Sequence, residues 1–200
     1  MEMYELTDIY IKYLFNEYVE LFDNFKSALL RKDEINVLMQ VNRLYEQVMS
    51  ITTEKLLELA QLQYEYIMQG DYDYSGIDNA WLQEIFENFD STVKYIFENE
   101  LDRKRSRMYE AVMSSDTPNT EVDTSLKHLC KMVSQEAITV TDEATHKAYK
   151  DMGESRLRWV SEKDSKRCDE CAKLHGKVFD IDKVPHKPHP NCCCYTVPER

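Results

Sequence analysis

The stretch RCDECAKLHGKVFDIDKVPHKPHPNCCCYTVPER, which ends the sequence, holds five of the six cysteines and three of the five histidines among 200 residues. No other feature limits the fold as tightly. Cys168 and Cys171 stand in C-x-x-C spacing; seventeen residues separate that pair from His189, and His189 and Cys192 repeat the interval with Cys193 and Cys194 directly behind. Two ligand pairs divided by a turn and a strand are what a tetrahedral zinc site requires, since each pair brings soft or borderline donors to one ion without straining the backbone. Cys168, Cys171, His189 and Cys192 are the expected ligands. Cys194, on the same face of an extended strand as Cys192, is an alternative ligand that can displace His189 or Cys192. His186 and Cys193 fall outside the set, and His175 reads as a hydrogen-bonding turn residue.

Other uses of these thiols fit less well. A thioredoxin-like redox pair opens a helix beside a βαβ core, whereas Asp169 and Glu170 lie between these cysteines and no βαβ pattern surrounds them. Six cysteines with three adjacent make a poor disulfide framework. The opening MEMYELTDIYIKYLF carries acidic residues where a secretory signal carries lysines, so no export signal is expected and the protein is expected to be made in a cytoplasm. No apolar run approaches the ~18 residues of a bilayer span. Closely spaced cysteines in that setting point to metal, with Zn²⁺ in a structural role.

Charge separates the two halves. Residues 1–100 hold 20 acidic and 7 basic residues, while residues 101–200 hold 17 and 18. The acidic half repels a phosphate backbone and points to a protein partner. Its apolar residues are helical in spacing: Leu6, Tyr10, Leu14, Tyr18 and Phe22 recur every four positions, widened by Ile11, Phe15 and Val19. A second helix is predicted from an N-cap at Asp33 through Val37, Val41, Leu44, Val48, Leu56, Leu59 and Ile67, bending near Thr52 and Thr53 and stopping near Gly70. Gly70 to Trp81 reads as a loop, and Asp78 caps a third helix whose buried face includes Phe86, Phe89, Val93 and Phe97. The polar stretch Ser114 to Asp123 marks a boundary. Two short helices, Asp123 to Gln135 and Thr141 to Met152, follow it, and then short strands at RLRWV, VFDI and CYTV. The expected fold is α+β and mostly α. It has an elongated helical arm over 1–113, a linker over 114–122, and a small zinc-stapled α+β domain over 123–200.

The order RWVSEKDSKRCDEC, LHGKVF and HPNCCCY, preceded by ITVTDEATHKAY, resembles the Mu F-type head morphogenesis family of tailed bacteriophages, the minor head or minor capsid proteins. The resemblance runs from Ala137 to Val197. Cys193 stands where the family carries an arginine, and VTDEA lacks the arginine of the family's Arg-Thr-Glu stretch. The resemblance implies a structural component of the virion head, made in the host cytoplasm and present in few or several copies. It further implies association with the portal protein, the major capsid protein or a scaffold, and a part in head assembly or DNA delivery. The residues agree with a non-enzyme: the four glycines are scattered, so no phosphate loop can form, and no catalytic triad is recognisable.

Two other classes compete. A zinc-dependent hydrolase or nuclease needs an open metal position and a base, for which Asp180, Asp182 or His186 stand nearby, but a thiolate-rich set makes the ion a poor Lewis acid. A nucleic-acid-binding zinc module would use Lys163, Lys166, Arg167, Lys173, Lys177, Lys183 and Lys187, yet interleaved acidic residues nearly cancel their field, leaving at most weak contact with packaged DNA.

Overall fold

The computed structural model describes residues 4–29, 34–68, 106–114, 118–161, 168–189 and 192–199. The expected N-cap at Asp33, the loop over 70–81 and the helix expected from Asp78 lie outside them. Helix α1 spans Glu5–Ala28 and α2 spans Glu34–Met68; residues 106–114 are helical (α3), and α4 spans Pro118–Asp151. Strand β1 (Arg156–Val160), the short helix α5 (Asp169–Leu174), β2 (Val178–Asp180), a 3-10 turn over Ile181–Lys183 and β3 (Tyr195–Pro198) complete the order. The fold is mostly helical with a three-stranded antiparallel sheet in the order β2-β1-β3.

Helix α2 is continuous through Thr52, near which a bend was expected; the Thr52 hydroxyl donates back to the Val48 carbonyl at 2.6 Å and is buried against Tyr18 Oη, a back-bond of the kind that bends a helix without ending it. One difference from the sequence reading has a clear cause. The two short helices expected after residue 123 are one helix that already begins at Pro118, whose fixed φ suits a first helical position. Four β-branched residues, Ile138 to Thr141, weaken helix propensity at the join. The Thr139 and Thr141 hydroxyls return hydrogen bonds to the Gln135 and Ala137 carbonyls, and Ala137, Ile138, Val140 and Thr141 are buried. Packing overrides propensity there.

The chain divides into two compact units, one of Tyr10–Leu57 and Asp78–Val133, the other of Met1–Ile9, Glu58–Ile77 and Ser134–Arg200. In the first, Leu14, Tyr18, Phe22 and Phe25 of α1 are buried, as are Val37, Val41, Leu44 and Val48 of α2. Each such side chain contributes about 1.5–3 kcal/mol of transfer free energy. Tyr13 meets Lys55 while Tyr18 meets Thr52, so α1 and α2 run antiparallel. Val19, expected to widen the buried stripe, is 46% exposed, because it is turned about 100° away from the line of Tyr18. The Tyr45 hydroxyl donates to Met108 Sδ of α3 at 3.6 Å, and Lys26 pairs with Asp123 at 2.6 Å.

The second unit carries the sheet. Leu157 and Trp159 alternate inward along β1, with Leu157 opposite Phe179 of β2 and Trp159 opposite Thr196 of β3. Beside it, a buried polar layer joins Thr7 Oγ1 to Thr141 Oγ1 at 2.7 Å and Gln63 Nε2 to Thr145 Oγ1 at 3.1 Å.

Candidate metal centre

The sheet and one short helix bring the terminal cysteines together. Cys168 caps α5 in an extended conformation, and its Sγ accepts the Cys171 backbone N–H at 3.3 Å. A turn then closes through Gly176 at φ +78°, a backbone angle that disfavours any residue with a Cβ. The Gly176 N–H donates to the Trp159 carbonyl and the Trp159 N–H to the Lys177 carbonyl, both at 2.8 Å, which pins the C-x-x-C turn onto β1. After β2 the chain returns through Val184 to His189, and Cys192 to Cys194 lead into β3.

Cys171 is the hub. Its Sγ lies 3.4 Å from His189 Nε2 and 3.5 Å from Cys192 Sγ. The ligand atoms of Cys168, Cys171 and His189 all lie within 4.8 Å of one another, and so do those of Cys171, Cys192 and Cys194. Every candidate ligand named from the sequence, Cys194 included, is therefore in one cluster, while Cys193 is exposed. None of the six cysteines is in a disulfide. The His175 ring accepts the Ser161 backbone N–H at 3.1 Å, consistent with a turn residue and not a ligand.

The donor set fits a soft divalent cation, and the cluster can hold a metal ion. Sulfurs sharing one tetrahedral ion at about 2.3 Å stand about 3.8 Å apart, close to the 3.5 Å between Cys171 and Cys192. Burial, followed by the neighbouring thiols, pushes the Cys171 thiol far above its usual range and that of Cys194 up to about 11. Cys168 shifts the other way, because the Cys171 N–H stabilises its thiolate. Thiols held this close resist ionising together unless a cation lies among them. The Trp159 indole N–H, on a residue 2% exposed, has no hydrogen-bond partner of ordinary geometry among the described residues. It acts on Cys194, where it favours the thiolate, so a metal-bound sulfur would give this buried donor its acceptor.

Around the sulfurs lies a polar layer that the sequence did not reveal. Tyr4 Oη shares its proton between Asp142 Oδ1 at 2.7 Å and the Cys194 carbonyl at 2.9 Å. Lys187 Nζ pairs with Asp142 Oδ2 at 2.8 Å, stands 4.5 Å from the centroid of the Tyr4 ring and donates to the Tyr4 hydroxyl. The Lys187 side chain is only 12% exposed, which removes it from the cations available to a phosphate backbone. Pairs separated by 138 and 190 residues leave no periodic signature, and composition alone marks neither Tyr4 nor Asp142.

A cavity of about 280 Å³ opens beyond Cys194, between α4 and β3. On its wall His146 Nε2 bonds Thr196 Oγ1 at 2.9 Å, and burial, followed by the charges of Lys187 and Lys150, lowers the imidazole to about 4. Of the bases considered for metal-assisted hydrolysis, Asp180 pairs with Lys183 at 3.0 Å and Asp182 pairs with Lys150, both on the surface, while His186 lines this cavity. No helix among the described residues is long and apolar enough to cross a membrane.

No curated protein and no solved structure matches the chain. The family model described as Phage Mu protein F like protein matches residues 99–197, a range that includes the tryptophan strand, the C-x-x-C turn and the closing cysteine strand. Through these residues the chain belongs to the Phage Mu protein F-like family, a family of phage head morphogenesis.

Proposed function

We propose that the chain is a minor head protein of the virion, a structural component associated with the portal region that aids head assembly or DNA delivery. Its cysteine cluster holds one structural Zn²⁺ through Cys168, Cys171, His189 and Cys192, with Cys194 competing for a position. The observation that carries the metal reading is the convergence of four candidate donors, Cys168, His189, Cys192 and Cys194, on a fifth, Cys171, inside the family-matched range. Thiolate donors neutralise the ion and leave it a poor Lewis acid, which favours a staple over a catalyst. The 20 acidic against 7 basic residues of the first hundred favour a protein partner, such as the portal, major capsid or scaffold protein, over packaged DNA. The test is quantitative mass spectrometry of purified particles. A few copies per head, in fixed proportion to the portal, are expected; particles that lack the protein would refute the reading.

A further inference from the structure

The metal-bearing segments are tied to a residue far from them in sequence. Tyr4 precedes the first turn of α1, which is itself fixed by the Thr7–Thr141 hydroxyl pair at 2.7 Å, next to Asp142 on α4. Asp142 and the Tyr4 hydroxyl then take hold of two points of the closing ligand segments. One is Lys187, two residues before His189, which pairs with Asp142 at 2.8 Å and lies over the Tyr4 ring. The other is the backbone carbonyl of Cys194, which accepts from Tyr4 Oη at 2.9 Å. His189 and Cys194 belong to two different ligand groups that share Cys171, so a single clamp acts on both sides of the cluster.

We propose that Tyr4 is a positioning residue for the metal centre. Its hydroxyl, together with Asp142 and Lys187, presents His189 and Cys194 to the ion, so that metal retention and docking of the first turn of α1 are thermodynamically coupled. The inference rests on the metal reading above. Contacts outside the ligands commonly change metal affinity by about 10–100-fold, because they fix the orientation of the donors. Coupling is reciprocal: whatever Tyr4 contributes to holding the ion, the ion contributes to holding Tyr4.

The test uses the full chain, loaded with zinc under reducing conditions, and follows zinc release to a chromogenic chelator together with helix content. Tyr4→Phe keeps the ring beneath Lys187 but removes the hydroxyl's bonds to Asp142 and the Cys194 carbonyl and the one it accepts from Lys187, and is expected to release zinc at least about tenfold faster at unchanged helix content. Tyr13→Phe, on a side chain 44% exposed, is expected to match the wild type. The reverse direction is read by amide exchange: stripping zinc from the wild-type chain should speed exchange at Asp8, whose N–H donates to the Tyr4 carbonyl at 2.9 Å, while the amides around Phe22 hold. Wild-type release kinetics in Tyr4→Phe would overturn this inference and leave the zinc reading standing. A wild-type chain that binds no zinc would overturn both.

Discussion

The helical unit and the strand region solve the burial problem with different atoms. In the helical unit the interior is carbon: Leu14, Tyr18, Phe22, Phe25, Val37, Val41, Leu44, Tyr45 and Val48 are all buried. From Arg156 to Glu199, the buried large apolar side chains among the described residues are Leu157 and Trp159, joined by Cys171, Cys192 and Cys194 and by the small polar Ser161 and Thr196. Leu174, Phe179 and Val184 pack against this cluster only partly covered. A core of two large side chains in about 45 residues does not offset conformational entropy. The comparison shows what differs between the two: where the helical unit buries carbon, the strand region buries sulfur, in a cluster that can hold a metal ion.

Substitutions in each region should behave in opposite ways. The largest effect is expected for Cys171→Ser, since Cys171 belongs to both ligand groups. A structural zinc contributes on the order of 10 kcal/mol of apparent binding free energy, so this variant should lose its metal and the exchange protection of β1 to β3 while residues 10–57 keep theirs. Next comes Phe22→Ala, at a side chain with no exposure, expected to cost about 3–5 kcal/mol in denaturant unfolding without changing zinc content. Zinc loss in Phe22→Ala, or an intact sheet in Cys171→Ser, would break the contrast.

A smaller effect is set by pH. His146 is held at about 4 in the folded chain against an ordinary value of 6.5, so the unfolded chain binds the proton more readily. The stability this histidine permits is complete above pH 6.5 and is lost as pH falls towards about 4. At pH 5 the loss is at most about 2 kcal/mol, reduced by partial exposure of the ring. Comparing urea midpoints at pH 7 and pH 5, His146→Gln should show a shallower decline than the wild type; equal slopes would contradict the assignment. The smallest effect is expected for Cys193→Ser. Its side chain is exposed and outside both ligand groups, so zinc should be retained and stability should change by less than about 0.5 kcal/mol.

The parts that were legible in the sequence are those where local pattern and final environment coincide. The four-residue spacing from Leu6 to Phe22 announced α1, alternation placed Leu157 and Trp159 inward, and ligand spacing announced the cluster. The long α4 was hidden because Ile138 to Thr141 look like a break until their hydroxyl back-bonds and burial are counted. The Tyr4–Asp142–Lys187 clamp was hidden for a different reason. Its members lie on three separate segments, and Lys187 reads as one more surface lysine until its partner 45 positions earlier is in place.

The central claim is that metal, and not carbon burial, holds the strand region together. The most direct measurement is zinc content of the reduced chain combined with amide exchange before and after chelation. One zinc per chain is predicted, and chelation should collapse protection of the Trp159 and Gly176 amides, which bond across the C-x-x-C turn, while amides of the helical unit around Phe22 and Val41 remain slow. A reduced, metal-free chain whose Trp159 and Gly176 amides exchange as slowly as those around Phe22 would contradict it.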